Sequence, residues 1–571
     1  MKHLMKLFLL LLLSPINIYA QVFSQKDYPQ GYFRNPMGIP LQLSANFGEL
    51  RTNHYHMGFD IRTNQRENLP VYSAAEGYIS RVKIEKGGFG RAIYITHPNG
   101  YTTLYAHLNE FNKELETYIK ERQYQDEQWE QDRAIPKDLF PVTKGQFIAY
   151  SGNTGASGGP HLHFEIRDTK TENNLNPWLF NFALPDNIPP YLYALYLYDR
   201  RYSTYQVNPT RVGIKGSKGA YTSVLNEVVV TTPEFSFGIT AEDKTNTSPF
   251  LFGIYEAEFW LDDSLQSAFR IDDFSYGESR YINGSIDYKS RLTSGRYIQH
   301  LSQLPGNNIS IFSSRTSDGV IFLNDTLIHN ALINLRDAAG NTTSLRFKLR
   351  YDSSKKTDLF FTANSIPLQP NKENEVKLDD VEVFFTDNSF YDVVPFVASS
   401  QQPTDTRIVS KIHQLHNYTV PVHDSFTVRI KSTTNIPDSL RGNVIVQLMT
   451  KGKKVATKNA WNGDWMQGKF REFGTVQLRI DTNPPVLRAL GFGNGSNLSK
   501  ARAITFISDD SEGDLKYFRA ELDGKWLRFS RRSDYFTYNF DEHCPPGTHE
   551  LKVRVEDVAG NVTERTYSFT R

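Results

Sequence analysis

The chain has 571 residues, with 64 Lys and Arg against 63 Asp and Glu, and its only cysteine is Cys544. This length is more than one hydrophobic core supports and indicates three or four domains. The balanced charge argues against a surface that recruits nucleic acid or an anionic membrane, and the single cysteine excludes an intrachain disulfide and a cysteine-based zinc site.

The first twenty residues predict a secretory signal peptide. Lys2 and Lys6 precede an apolar run that extends to Leu13, and Ala20 provides a small residue at the expected cleavage point. An uncleaved membrane anchor is the alternative, but the run is shorter than the roughly 20 residues that span a bilayer. We therefore expect export to the periplasm or the extracellular space, and no transmembrane segment in the mature chain.

The remainder of the chain predicts a mainly β protein. Aromatic residues make up 13% of the sequence, and short β-branched or aromatic runs alternate with Gly, Pro, Asn and Asp. We expect a first domain over residues 21–185, because all the histidine motifs described below lie within it.

Two internal repeats mark the C-terminal part. The pattern Asp-x-x-Pro-Pro at 186–190 recurs at 481–485, and Asp-x-Ala-Gly-Asn at 337–341 recurs at 557–561. The second pattern resembles the terminal hairpin of bacterial immunoglobulin-like domains, in which Gly and Asn suit a tight turn.

These repeats predict the division of the tail. We expect immunoglobulin-like β-sandwiches over 186–352 and 483–571. Strand-like runs between them, such as Val381–Phe385, predict a further β-domain of unassigned type over 353–482.

Residues 112–133 interrupt the β pattern. The segment is dense in Glu, Gln, Lys and Arg, which indicates a helix. Its larger apolar side chains fall at helical spacings: Leu115, Tyr118, Ile119 and Trp129. Two interpretations stay open, a solvated helix packed on the first domain and a lid or partner-docking element beside the active site.

Histidines cluster in the first domain. His56-x-Gly-x-Asp60, Tyr-Ala-His107-Leu and His161-Leu-His163 follow one another along the chain. His161 and His163 lie two residues apart in a predicted strand and therefore project from the same face. Two imidazoles and a carboxylate, with an open fourth position, are typical of catalytic zinc. The chain has no His-Glu-x-x-His motif, which excludes the helical zincin design.

The motifs together resemble one peptidase family. They comprise Phe47-Gly48, His56-x-Gly-x-Asp60, Gly87-Gly-Phe-Gly90, Tyr105-Ala-His107-Leu, Gly152-Asn-Thr-Gly155 and Pro160-His161-Leu-His163-Phe-Glu165. In this order the pattern resembles the lysostaphin/LytM zinc metallopeptidases, whose fold is a small antiparallel β domain with a groove flanked by loops.

The resemblance implies roles for five residues. His56, Asp60 and His163 would bind one Zn²⁺, and His107 and His161 would assist the metal-activated water. One of the two histidines would accept the water proton, and the other would stabilise the oxyanion or protonate the leaving amine; the assignment stays open. The implied substrate is the peptide crosslinks of bacterial peptidoglycan. The helical insertion after His107 departs from the family pattern and puts the shape of the groove in question.

The other histidines receive simpler interpretations. His54 is an alternative metal ligand because of its position beside His56, and His97 is expected to be structural. Three more lie in the middle β-domain without a carboxylate pattern and are expected to be structural: His413, His416 and His423.

Two other functions compete with the endopeptidase. Some relatives of this fold have lost their metal ligands and regulate cell-wall amidases without catalysis. The tail could also make the chain a wall-binding or adhesive protein through its β-sandwiches.

Overall fold

The computed structural model describes residues 22–355 and 365–571, so the predicted signal peptide lies outside the described residues. The described chain is mainly β, as the composition predicts, and it forms four units in chain order. Its α-helices are short: α1 (Lys113–Asp126), α2 (Ile282–Ser285), α3 (Tyr288–Ser294) and α4 (Asp438–Arg441). None of the helices in these two ranges has both the length and the apolar character that a bilayer span requires.

The N-terminal unit contains fourteen strands and α1. The strands are β1 (Leu43–Ala45), β2 (Leu50–Arg51), β3 (His54–Tyr55), β4 (Phe59–Arg62), β5 (Pro70–Tyr72), β6 (Gly77–Ile84), β7 (Arg91–Thr96), β8 (Tyr101–Ala106), β9 (Leu108–Phe111), β10 (Gln131–Ala134), β11 (Pro141–Val142), β12 (Phe147–Ser151), β13 (His161–Asp168) and β14 (Asn174–Leu175). The main sheet has the antiparallel order β1-β4-β13-β8-β7-β6-β10, and β5-β12-β9 form a smaller sheet. A 3₁₀ helix follows at Pro177–Phe180.

The central strands of the main sheet are buried on both faces. Residues 162–167 of β13 are all buried, and β4 and β8 flank this strand in antiparallel register. Burial in a continuous core fixes this register, because a slip of one residue would exchange the two faces of the strand. The histidine motif of β13 is therefore held in one position relative to Asp60 of β4.

Helix α1 is shorter than the sequence predicts. Asn112 caps its start by accepting a hydrogen bond from the backbone N–H of Leu115 at 3.0 Å. Glu127 then adopts a left-handed conformation with φ of 49°, and the chain turns back so that β10 pairs with β6. Trp129 consequently lies beyond the helix. The continued run of polar residues through 133 and the absence of a C-terminal Gly hide this helix end in the sequence.

The second unit is a two-sheet sandwich. Its strands are β15 (Tyr191–Asp199), β16 (Thr210–Val212), β17 (Ile214–Ser217), β18 (Ala220–Ser223), β19 (Val228–Val230), β20 (Glu234–Glu242), β21 (Glu256–Leu261), β22 (Ser264–Arg270), β23 (Asp273–Phe274), β24 (Gln299–His300), β25 (Ile321–Phe322), β26 (His329–Arg336) and β27 (Thr342–Tyr351). The sheets have the orders β16-β15-β20-β24 and β17-β18-β27-β26-β21-β22. The Asp-x-Ala-Gly-Asn repeat forms the turn of the β26–β27 hairpin.

The last two units are also built from paired sheets. The third contains β28 (Ile366–Leu368), β29 (Asn374–Lys377), β30 (Val381–Phe385), β31 (Val394–Phe396), β32 (Ala398–Gln401), β33 (Ile412–Leu415), β34 (Phe426–Lys431), β35 (Val444–Thr450), β36 (Lys453–Thr457), β37 (Trp465–Phe470) and β38 (Gly474–Ile480). The fourth contains β39 (Val486–Leu490), β40 (Ser496–Asn497), β41 (Ala503–Asp509), β42 (Leu515–Leu522), β43 (Lys525–Trp526), β44 (Ser530–Arg532), β45 (Tyr535–Asn539), β46 (Thr548–Asp557) and β47 (Val562–Thr570).

The hydrophobic cores of the first two units interpenetrate. Phe47 and Tyr55 belong to the core that fills the second unit, and Phe252 of the second unit is buried in the core of the first. β14 also pairs with β23 across the two units. The boundary after residue 185 stays a prediction, and the apolar packing runs across it.

The fourth unit contacts helix α1 of the first. The ring of Tyr124 stacks on His543 with centroids 3.6 Å apart, and Lys120 forms an ion pair with Asp541 at 2.8 Å. The other side of the helix is buried against the N-terminal unit through Leu115. Helix α1 is therefore packed between two units.

Candidate active site

Three side chains of the N-terminal unit converge on one point. His56 lies in the turn between β3 and β4, and Asp60 of β4 stands opposite His163 of β13. Nε2 of His56 is 2.9 Å from Oδ1 of Asp60 and 3.1 Å from Nδ1 of His163. Nδ1 of His163 is 3.0 Å from the same Asp60 oxygen. The three side chains are buried, so the ligand atoms form a compact triangle below the surface.

In His56 and in His163, the ring nitrogen that points away from the triangle donates a hydrogen bond to an oxygen. Nδ1 of His56 donates to the carbonyl oxygen of Asn46 at 2.7 Å, and Nε2 of His163 donates to the carboxylate of Glu165 at 2.9 Å. Because these acceptors hold a ring proton on the nitrogen that points away from the triangle, the other nitrogen of each ring faces the triangle. In the neutral imidazole that a metal ion requires, this nitrogen offers its lone pair.

This triangle fits a tetrahedral metal ion. Ligands bound about 2.0–2.1 Å from zinc are separated by about 3.3 Å, close to the observed edges. Two imidazoles and one carboxylate leave a fourth position open, as in catalytic zinc sites. His56, Asp60 and His163 can therefore hold a metal ion together.

The charges around the triangle favour a cation. Burial would raise the pKa of Asp60, but the charge of His56 and hydrogen bonds from His161 and His163 hold this pKa well below its usual range. Burial would lower the pKa of His163, yet hydrogen bonds to Asp60 and Glu165 raise it to about 9. The ionised carboxylates of Asp60 and Glu165 thus lie on either side of the His163 ring.

Glu165 is itself held by two donors. Nε of Arg167 and Nδ2 of Asn174 each donate to Oε2 of Glu165 at 2.7 Å, and the carboxylate is fully buried. Burial would raise the pKa of Glu165, but the charge of Arg167 and the hydrogen bonds lower it to about 2. The acceptor of His163 is therefore ionised and fixed in orientation.

His107 and His161 lie beside the triangle, with ring centroids 4.7 Å apart. Nδ1 of His107 donates to the carbonyl of Thr154 at 2.9 Å, and Nδ1 of His161 donates to that of Gly159 at 2.8 Å. Nε2 of His161 is 3.3 Å from Oδ1 of Asp60. Burial, with the charges of His163 and His161, lowers the pKa of His107 to about 3, so this ring is neutral at neutral pH.

The other histidines are held elsewhere. Nδ1 of His54 bonds to the carbonyl of Thr52 at 3.0 Å, and His54 lies outside the triangle. Both ring nitrogens of His97 are hydrogen-bonded, one of them to Thr103 at 2.8 Å. Among the described residues, the possible metal-binding groups include none of the middle-unit histidines: His413, His416 and His423.

The model of peptidase family M23 matches residues 54–124 and 138–177. This span contains all five residues of the site. The chain carries an M23 peptidase domain. The unmatched residues between the two segments comprise the end of α1, the turn after it and β10.

Two curated relatives each match about a quarter of this chain. The DD-carboxypeptidase/endopeptidase Mpg of Neisseria meningitidis is 34% identical over 151 residues, which are 26% of this chain and 26% of Mpg. The peptidoglycan DD-endopeptidase ShyA of Vibrio cholerae is 27% identical over 143 residues, which are 24% of this chain and 27% of ShyA. The matched region therefore spans about a quarter of the length of these relatives. Among solved structures, the catalytic domain of lysostaphin from Staphylococcus simulans is 22% identical, with a TM-score of 0.19, over 25% of this chain and 93% of that one.

A second family model matches the tail. The model of the Zu5-like domain covers residues 366–481, within the segment expected to be a β-domain of unassigned type. No sequence motif had pointed to this type.

Residues that orient the M23 site were missed by sequence reasoning. Glu165 belongs to the motif Pro160-His161-Leu-His163-Phe-Glu165, but no role was predicted for it from the sequence. Its position two residues after His163 on a strand places both side chains on the same face, which could have indicated their contact. Asn46 acts through its backbone carbonyl, which no side-chain pattern reveals.

Proposed function

We propose that the chain is an exported zinc-dependent endopeptidase that hydrolyses peptide crosslinks of bacterial peptidoglycan. The observation that carries this proposal is the convergence of His56, Asp60 and His163, with His107 and His161 beside them. The names of the relatives Mpg and ShyA support a cell-wall peptide as substrate. Action on the cell wall requires a periplasmic or extracellular location.

Zn²⁺ held by His56, Asp60 and His163 would supply a Lewis acid that activates water and polarises the scissile carbonyl. The chain's own contribution is to fix the ligands. Glu165 holds the ring of His163, and the Asn46 carbonyl holds that of His56, so both imidazoles are oriented before the metal binds.

His107 and His161 are proposed to share the proton transfers. The Nδ1 proton of each ring is committed to a backbone carbonyl, which leaves Nε2 as an acceptor in the neutral imidazole. One ring accepts the proton of the attacking water, and the other, once protonated, donates to the oxyanion or the leaving amine.

The second unit contributes to the surroundings of the site. Tyr276, which is 54% exposed, has its ring centroid 6.0 Å from that of Phe89, and Phe89 lies 5.8 Å from the ring of His163. We propose that Tyr276 forms part of the wall that a crosslinked peptide contacts.

Mass spectrometry of muropeptides tests the proposal. Purified sacculi with direct D-alanyl crosslinks and sacculi with glycine bridges would be digested by the zinc-loaded chain, with His161→Ala as control. The proposal expects the wild type to convert crosslinked dimers to monomers, and the difference between the two sacculi identifies the bond. Zinc-loaded, folded protein that releases no product from either substrate would contradict it.

The competing functions stay predictions and are separable in the same preparations. A regulator of cell-wall amidases would release no muropeptides by itself but would increase release by an added amidase. A wall-binding function of the tail would appear as cosedimentation of the inactive His161→Ala chain with sacculi.

A further inference from the structure

Three aspartates from separate segments meet in the second unit. Asp186 precedes β15, Asp243 directly follows β20, and Asp337 directly follows β26. Each contributes a carboxylate oxygen to a group in which these atoms lie within 4.8 Å of one another. Asp243 and Asp337 are 4% and 2% exposed, so two of the three carboxylates are buried.

Two oxygens of this cluster have no partner. Oδ1 of Asp243 and Oδ2 of Asp186 are buried without a hydrogen bond. Asp337, in contrast, accepts from the backbone and side-chain N–H groups of Asn341, each at 2.8 Å. None of the ion pairs formed among the described residues includes any of the three aspartates. A buried carboxylate oxygen without a donor is costly unless a cation or a proton satisfies it.

The cluster is electrostatically unfavourable when it is empty. Burial, together with the charges of Asp337 and Asp186, raises the pKa of Asp243 to about 8. Burial and the charge of Asp337 raise the pKa of Asp186 to about 6. A bound divalent cation would remove both the repulsion and the unsatisfied oxygens.

The donor set selects a hard cation. The cluster offers carboxylate oxygens and contains neither His nor Cys, which disfavours zinc. Ca²⁺ accepts six to eight oxygens in irregular geometry, whereas Mg²⁺ requires a near-ideal octahedron. Carboxylates drawn from three separate segments suit the less demanding ion.

The fourth unit contains a comparable but satisfied cluster. Asp481, Asp510 and Asp557 also bring carboxylate oxygens within 4.8 Å. Here Oδ2 of Asp510 accepts from the backbone N–H groups of Glu512 and Gly513, both at 2.9 Å. The repeat therefore provides a matched control in which the equivalent aspartate already has its donors.

The first cluster lies where the second unit joins the M23 domain. The backbone of Asp243 forms a two-bond bridge with Phe252, which is buried in the core of the N-terminal unit. The next residue, Gly253, exchanges hydrogen bonds of 3.0 and 3.1 Å with the side chain of Asn46. The Asn46 carbonyl in turn holds His56.

We propose that Asp186, Asp243 and Asp337 form a Ca²⁺ site that fixes the junction between the second unit and the M23 domain. The ion ties the segment before β15 to the ends of β20 and β26. It thereby holds the segment from Asp243 to Gly253 against Asn46, the residue that follows β1.

Calorimetric and thermal titrations of the chelator-treated full chain with CaCl₂ test the site. The wild type is expected to bind Ca²⁺ with a dissociation constant of about 10⁻⁵ to 10⁻³ M and to gain thermal stability. Asp243→Asn should bind at least tenfold more weakly and show a smaller Ca²⁺-dependent shift in melting temperature, whereas the matched Asp510→Asn should respond as the wild type does. Without Ca²⁺ and above pH 8, where Asp243 is ionised, Asp243→Asn should be at least as stable as the wild type, because it removes a repelling charge.

Further measurements distinguish loss of the proposed Ca²⁺ site from damage to the active site. Zinc content and peptide hydrolysis should be retained in Asp243→Asn. If this variant does not fold, Asp186→Asn, at a less buried position, takes its place. A wild-type melting temperature that millimolar Ca²⁺ leaves unchanged, or an Asp243→Asn response equal to that of the wild type, overturns the proposal. A larger response to Mg²⁺ than to Ca²⁺ overturns the choice of cation.

Discussion

Oε1 of Glu165 lies 2.9 Å from Nε2 of His163, and both side chains are buried within the main sheet. The contact fixes which nitrogen of His163 faces Asp60. A carboxylate in this position also makes the imidazole a better metal ligand, because it stabilises the positive charge that metal binding places on the ring.

Replacing Glu165 by Gln should weaken zinc binding by about 10- to 100-fold, since the amide still reaches His163 but no longer carries a charge. Zinc retained against increasing concentrations of a chelator measures the effect. Glu172→Gln, at an exposed turn after β13, is the matched control and should retain zinc as the wild type does. Equal retention in Glu165→Gln would show that the carboxylate does not tune the site.

The alanine variants of His161 and His163 should lose activity for different reasons. His163→Ala removes one of three proposed ligands and should lose both zinc and activity. His161→Ala should keep its zinc and lose about 10²- to 10⁴-fold in rate, as expected for a missing acid–base or electrostatic group. Metal analysis after dialysis, beside peptide hydrolysis, measures both. Equal zinc loss in the two variants would overturn this assignment of roles.

The interpenetrating cores predict that the second unit stabilises the M23 domain. Phe252→Ala should destabilise the chain by about 3–5 kcal/mol, because it leaves a cavity in the core of the N-terminal unit. Phe322→Ala is the control, since this ring is 72% exposed and its loss should change little. Denaturant unfolding monitored by a probe in each unit measures the effect. Equal midpoints for both variants would show that the packing of Phe252 is dispensable.

Acid should weaken the contact between the second and third units. Burial lowers the pKa of His423 to about 4, and the ring stacks on Tyr281 with centroids 4.1 Å apart. Because the unfolded chain binds this proton more tightly than the folded one, stability should fall as pH drops from about 6.5 towards 4. His423→Gln should flatten this dependence in thermal unfolding between pH 7 and pH 4.5. An unchanged slope would assign the acid sensitivity to other groups.

The sequence predicted the site better than the architecture around it. His56, Asp60, His107, His161 and His163 stand in short motifs whose spacing reflects local strand geometry, and the structure brings all five together. Their chemical roles remain proposals.

The remaining features depend on contacts between residues distant in sequence. The burial of Phe252 in the first unit and the stacking of Tyr124 on His543 join segments that share no periodic pattern. The end of α1 was missed for a different reason, because Glu127 takes a left-handed conformation that Gly usually signals.

The fourth unit contacts α1 of the first, so each of the four units contacts two others and the series of contacts is closed. Each unit is joined to the next by the chain. In addition, Arg280 of the second unit donates to the carbonyl oxygen of Val422 in the third, and Gln447 of the third donates to the carboxylate of Glu512 in the fourth. Stacking of Tyr124 on His543 adds the fourth contact, between the last unit and the first. When any one of these interfaces opens, the other three keep its two faces at a high effective concentration, so rebinding is intramolecular and fast. The M23 domain therefore contacts both the second and the fourth unit, and it separates from them only when two interfaces open together.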